Sequence, residues 1–82
     1  MANEYHPATV FCYSGRSYAD RPSSFVWRSE RYEVASVERE WLEPGGRHFI
    51  VYAVKPGGAQ GEKRFEICYY TREDSWYLRE FK

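Results

Sequence analysis

Apolar residues recur at every second position along much of this chain, and short polar breaks separate the runs. Phe65, Ile67 and Tyr69 share one parity, with Glu66, Cys68 and Tyr70 on the other, and Trp76 and Leu78 repeat the period further on. In an extended strand a period of two sends alternate side chains to opposite faces. Turn residues punctuate the runs at Ser14-Gly15, Arg21-Pro22, Pro44-Gly45-Gly46 and Pro56-Gly57-Gly58. The pattern predicts strands near Thr9–Ser14, Phe25–Trp27, Tyr32–Leu42, Arg47–Lys55, Lys63–Thr71 and Trp76–Phe81. The expected fold is all-β: a small bulged antiparallel barrel or strongly curved meander of five to six strands, SH3-like.

Two of these segments depart from simple alternation. Phe49 to Val54 are apolar on both parities, which predicts a strand covered on both faces. In Tyr32–Leu42, Val34, Val37, Trp41 and Leu42 fall at helical spacing. Read as a strand, Tyr32 and Val34 share one parity and Val37 and Trp41 the other. A β-bulge near Ala35-Ser36 brings all four to one face and bends the strand as a small barrel requires. The alternative is one short helix packed on the sheet. The expected core is Val10, Phe25, Trp27, Tyr32, Val34, Val37, Trp41, Ile50, Tyr52, Phe65, Ile67, Trp76 and Leu78. Residues 1–7 read as a tail and 8–82 as a single small β domain.

Composition narrows the classes. Aromatics make up 20% of 82 residues and the formal net charge is zero, the opposite of a disordered composition. With large rings filling it, even so short a chain supports a core without staples. No uncharged apolar run approaches the ~20 residues of a membrane helix. The first residues lack a basic stretch followed by an apolar one, so cytoplasmic residence with no membrane association is expected. Cys12 and Cys68 are too few for a disulfide framework and read as reduced, partly buried thiols.

Three blocks carry a resemblance. They are Pro22-x-x-Phe25-Val26-Trp27-Arg28, then Tyr32-x-Val34-x-x-Val37-x-x-x-Trp41, then Phe65-Glu66-Ile67 followed by Trp76-x-Leu78. Their order resembles a bacterial family of small domains of unknown function often encoded beside Y-family (translesion) DNA polymerases. The resemblance spans roughly Pro22–Phe81. It departs at Ser29-Glu30, where the family has Gly, and in the longer Pro56–Gly61 loop. It implies an accessory role in DNA damage tolerance and carries over no enzymatic residue.

Catalytic signatures are lacking. His6 and His48 show no paired metal-ligand spacing, and a site from His6, Cys12, His48 and Cys68 exists only if the fold gathers them. Pro56 to Lys63 lacks the Gly-Lys-Ser/Thr of a phosphate loop and reads as a hairpin loop. Glu38 and Glu40 share a parity and read as a solvated pair. The expectation is therefore a non-enzyme with no catalytic residue, no metal and no cofactor.

Charge is more telling. Residues 16–31 carry a local surplus of +2 and residues 33–43 a deficit of −3, and nine of the twelve basic residues are Arg. A non-catalytic binding or adaptor module with a protein partner is the reading these features favour. An aromatic patch rimmed by charge is expected on it, with Tyr69, Tyr70 and Tyr77 as candidates. The alternative is weak single-stranded nucleic-acid binding by Arg16, Tyr18, Arg21, Arg28 and Arg31, unless these arginines pair with glutamates of neighbouring strands. A small-molecule enzyme comes third and requires a deep polar pocket holding His48 or a cysteine. The chain is expected as a monomer or as a homodimer through an edge strand.

Overall fold

A computed structural model describes residues 4–12, 21–57 and 61–81. Six strands follow in order: β1 (His6–Cys12), β2 (Pro22–Trp27), β3 (Glu30–Glu43), β4 (Gly46–Val54), β5 (Lys63–Tyr70) and β6 (Ser75–Glu80). Each pairs antiparallel with the next, and β1 closes on β6 through His6, Pro7 and Ala8 opposite Leu78, Tyr77 and Trp76. The expected small antiparallel barrel is what the chain forms, and no helix occurs among the described residues.

Tight turns set the registers. Pro44 and Gly45 connect β3 to β4 in two residues, so Glu43 faces Gly46 and Trp41 faces His48. Proline presets the first turn angle and Gly45 takes φ 85°, the left-handed value the second corner demands. Arg28 and Ser29, both at positive φ, turn β2 into β3.

β1 begins at His6, so residues 6 and 7, assigned to a tail from their sequence, belong to the sheet. Closure pairs the first strand with the last over His6, Pro7 and Ala8. β2 pairs only with Glu30–Glu33 of β3, so the distal half of β3 has β4 on one side and no described strand on the other.

Rings fill the interior in two groups. Phe65 meets Phe25, Tyr32 and Trp27 at centroid separations of 4.9, 5.2 and 6.0 Å, all edge-on. Trp76 meets Tyr69 at 4.9 Å and Phe49 at 6.2 Å. Phe25, Phe49, Val51, Phe65, Ile67 and Leu78 are fully enclosed. Three expected core members are placed differently. In β4 the inward parity belongs to Phe49, Val51 and Ala53, so Ile50 is buried on the outer face and Tyr52 is half-buried there. Both parities of this strand are apolar, so parity alone did not choose. Trp41 also lies outside, for a reason found in β3.

β3 contains two register shifts, one between Val34 and Ser36 and one between Val37 and Arg39. The first is the expected bulge and keeps Val34 and Val37 against the core. The second inserts an extra residue at Glu38, and each such insertion exchanges the faces of everything beyond it. Trp41 is thereby carried to the outer face. Glu38 and Glu40 are separated as well: Glu38 pairs with Arg64 at 2.9 Å, while Glu40 receives Arg21 and Arg47.

Candidate functional site

Register builds a row of side chains across the outer face of four strands. Trp41 of β3 lies opposite His48 of β4, His48 opposite Cys68 of β5, and Cys68 opposite Tyr77 of β6. Glu66 and Tyr70 flank Cys68 on the same face of β5. The rings touch in series. Trp41 stacks on His48 at 5.1 Å and 9°, His48 meets Tyr70 edge-on at 6.3 Å, and Tyr70 meets Tyr77 at 5.5 Å. Trp41, Tyr70 and Tyr77 are half-buried. Charge borders them: the Arg39 guanidinium lies 5.0 Å from the Trp41 ring, Trp41 Nε1 donates to Glu43 at 2.9 Å, and the Tyr77 hydroxyl donates to Glu73 at 3.3 Å.

His48, Glu66 and Cys68 are buried within this row, at 6%, 5% and 0% exposure. Their ligand-type atoms converge. His48 Nδ1 is 3.0 Å from Cys68 Sγ and 3.4 Å from Glu66 Oε2, and Sγ is 3.9 Å from that same oxygen. The other imidazole nitrogen, Nε2, lies 3.1 Å from Glu43 Oε1. Arg79 holds the far carboxylate oxygen, Glu66 Oε1, through Nε at 3.0 Å and Nη2 at 2.8 Å. Tyr5, ahead of β1, hydrogen-bonds to Glu66 and Cys68, with the Arg79 guanidinium 4.8 Å from its ring.

The electrostatics follow from burial and these partners. Burial pushes the Cys68 thiol up to about 11. Burial alone would raise the Glu66 carboxyl too, but hydrogen bonds from Tyr5 and Arg79, with the Arg79 charge, outweigh it and hold it below the usual range. Burial and the bonds to Glu66 and Cys68 push the Tyr5 phenol upward. Cys68, His48 and Glu43 stand in the sequence of a thiol, base and orienting acid. A nucleophile needs an exposed thiolate, and this thiol is enclosed and held protonated.

The residues singled out from sequence are dispersed. Arg16 and Tyr18 lie outside the described residues. Arg21 and Arg28 flank opposite ends of β2, about 20 Å apart at the rise of a strand. Arg21 pairs with Glu40. Arg28 lies over Trp27, and Arg31 lies over Phe11 and bonds to Ser24. Of the three tyrosines, Tyr70 and Tyr77 meet on the outer face. Tyr69 does not join them: it is buried in the core at 5% exposure, with its hydroxyl donating to Asp74 at 2.6 Å, because its parity on β5 is inward. His6 packs near Trp27 and Cys12 belongs to the core, so His48 and Cys68 meet Glu66 instead of these two. Cys12 and Cys68 are free thiols.

Sequence reading missed His48, Glu66, Trp41 and Tyr5 as one group. The Pro44-Gly45 turn alone would have paired Trp41 with His48. Nothing local fixes the β4–β5 register that brings in Glu66 and Cys68. Two open surface depressions are lined by Glu30, Arg31, Lys55, Pro56 and Gly57 and by Pro7, Ala8, Thr9, Val26 and Arg28. Neither holds His48 or a cysteine. No family model, curated protein or solved structure matches the chain.

Proposed function

We propose that the protein is a non-catalytic binding module that engages a protein partner through the stripe of Trp41, Tyr70 and Tyr77. One observation carries this reading: three half-exposed rings from three different strands lie in one row of a rigid sheet, bordered by Arg39, Glu43 and Glu73. Aromatic anchors with a polar border are what protein interfaces concentrate their energy in. The mixed sign of the border suits a protein better than a phosphate backbone, which calls for a continuous basic surface. On the resemblance noted above, the partner belongs to DNA damage tolerance, with a translesion polymerase the first candidate.

The test is crosslinked capture from the native cell with the full chain, comparing wild type, the double variant Trp41→Ala/Tyr77→Ala and Arg31→Ala. A protein held by wild type and Arg31→Ala but lost from the double variant is the expected result. Each anchor is worth about 2 kcal/mol or more, roughly thirtyfold in affinity. Equal retention by the double variant would reject the stripe. Binding to single-stranded oligonucleotides that weakens steeply with salt would favour the nucleic-acid reading instead.

A further inference from the structure

We propose that His48 Nδ1, Cys68 Sγ and Glu66 Oε2 form a site for a thiophilic divalent cation, Zn2+. The site lies beneath the same row of rings, with Trp41 common to both, and needs no partner to bind its ion. Three atoms separated by 3.0, 3.4 and 3.9 Å lie on a circle of radius about 2.0 Å, and zinc sits about 2.0–2.3 Å from imidazole, carboxylate and thiolate ligands. An ion at or slightly above the centre of that circle reaches all three without movement of the strands. The three sit on β4 and β5, which pair without a register shift over this stretch, so the backbone already fixes their separation.

The surroundings are those of a metal site. A ligating histidine ordinarily donates its other ring N–H to a carboxylate, which fixes the tautomer and leaves the facing nitrogen with its lone pair. Glu43 Oε1 takes that place 3.1 Å from Nε2, and Trp41 in turn donates to the other Glu43 oxygen and stacks on the imidazole. Arg79 anchors Glu66 through Oε1 and leaves Oε2 turned toward His48 and Cys68. The Tyr5 hydroxyl lies beside Glu66 and Cys68.

Charge balances. Binding releases the Cys68 thiol proton to solvent as the metal–sulfur bond forms, and the thiolate and Glu66 carboxylate then neutralise the two positive charges. Glu43 and Arg79 offset one another. The donor set names the metal class: sulfur and imidazole favour zinc, whereas magnesium and calcium require oxygen.

The experiment titrates the full chain with Zn2+ and with Co2+ as spectroscopic reporter. One equivalent of Co2+ is expected to bind with a sulfur-to-metal charge-transfer band and the visible bands of tetrahedral cobalt, and Zn2+ is expected to displace it. Cys68→Ser and His48→Gln are expected to weaken binding about a hundredfold or more, and Glu43→Gln by about 10–100-fold. Cys12→Ser and Arg31→Ala are expected to bind as wild type. Near-UV circular dichroism identifies any variant that fails to fold, and the charge-transfer band of the wild type is read without any variant. Absence of one-equivalent binding by the folded wild type, or a charge-transfer band that survives Cys68→Ser, overturns the proposal. The titration uses the chain without any partner, so failure of partner binding and failure of the metal site are separately visible.

Discussion

Arg28 and Ser29 hold φ values of 53° and 67°, the left-handed region in which a Cβ crowds the following carbonyl. Two successive positive values define the type I′ turn, whose twist matches that of the flanking strands and whose preferred second residue is glycine. The chain has serine there at a cost of about 1–2 kcal/mol. Ser29→Gly is expected to stabilise the protein by about 1 kcal/mol, read as an upward shift of the urea midpoint. An unchanged or lower midpoint would contradict the turn assignment. Gly46 is constrained in the opposite sense. A Cβ there would lie 2.9 Å from the backbone oxygen of Tyr69 on the paired strand, and a main-chain atom inside a ladder yields little. Gly46→Ala is expected to destabilise by about 1–3 kcal/mol in the same measurement. At 6% and 0% exposure, Cys12 and Cys68 are expected to react with iodoacetamide far more slowly in the folded chain than in urea, as followed by intact mass.

Among the elements, β3 decides what the surface presents. Its first bulge bends the strand into the barrel, and its second carries Trp41 away from the core and onto His48. Deleting Glu38 removes the extra residue and returns positions 39–43 to the opposite faces. The expected outcome is a folded but destabilised protein in which the single described contact of Glu38, with Arg64, is lost and Trp41 no longer shields His48. Tryptophan fluorescence and the histidine ring shifts in NMR report this directly. Retention of the Trp41–His48 contact in the deletion variant would show that the strand re-forms its register by another route.

Over the whole molecule, stability rests on a ring-filled interior closed by the short β1–β6 ladder. Phe65 is fully buried and touches Phe25, Trp27 and Tyr32, so its removal opens space that three rigid rings cannot collapse into. Phe65→Ala is expected to cost about 3–5 kcal/mol in denaturant unfolding. Rings fill the interior, and the ion pairs Lys55–Glu30, Arg64–Glu38 and Arg79–Glu66 lie outside it. Arg21 pairs with Glu40, Arg28 lies over Trp27 and Arg31 lies over Phe11, so the described arginines of residues 21–31 are spread over different neighbours.

Local chemistry was enough to place most of the strands, their turns and most of the core, because period-two alternation and turn residues act between neighbours in the chain; between a bulged strand and a helix over Tyr32–Leu42 it left both open. Phe65-Glu66-Ile67-Cys68-Tyr69-Tyr70 sorted correctly into two faces on alternation alone. It could not say which face of the doubly apolar β4 turned inward, nor that a second bulge would reverse Trp41, since either parity satisfies the hydrophobic pattern there. The convergence of His48, Glu66, Cys68 and Tyr5 was decided only in the tertiary structure. These residues come from β4, from β5 and from the segment ahead of β1, and their distances depend on registers fixed when the sheet closes into a barrel.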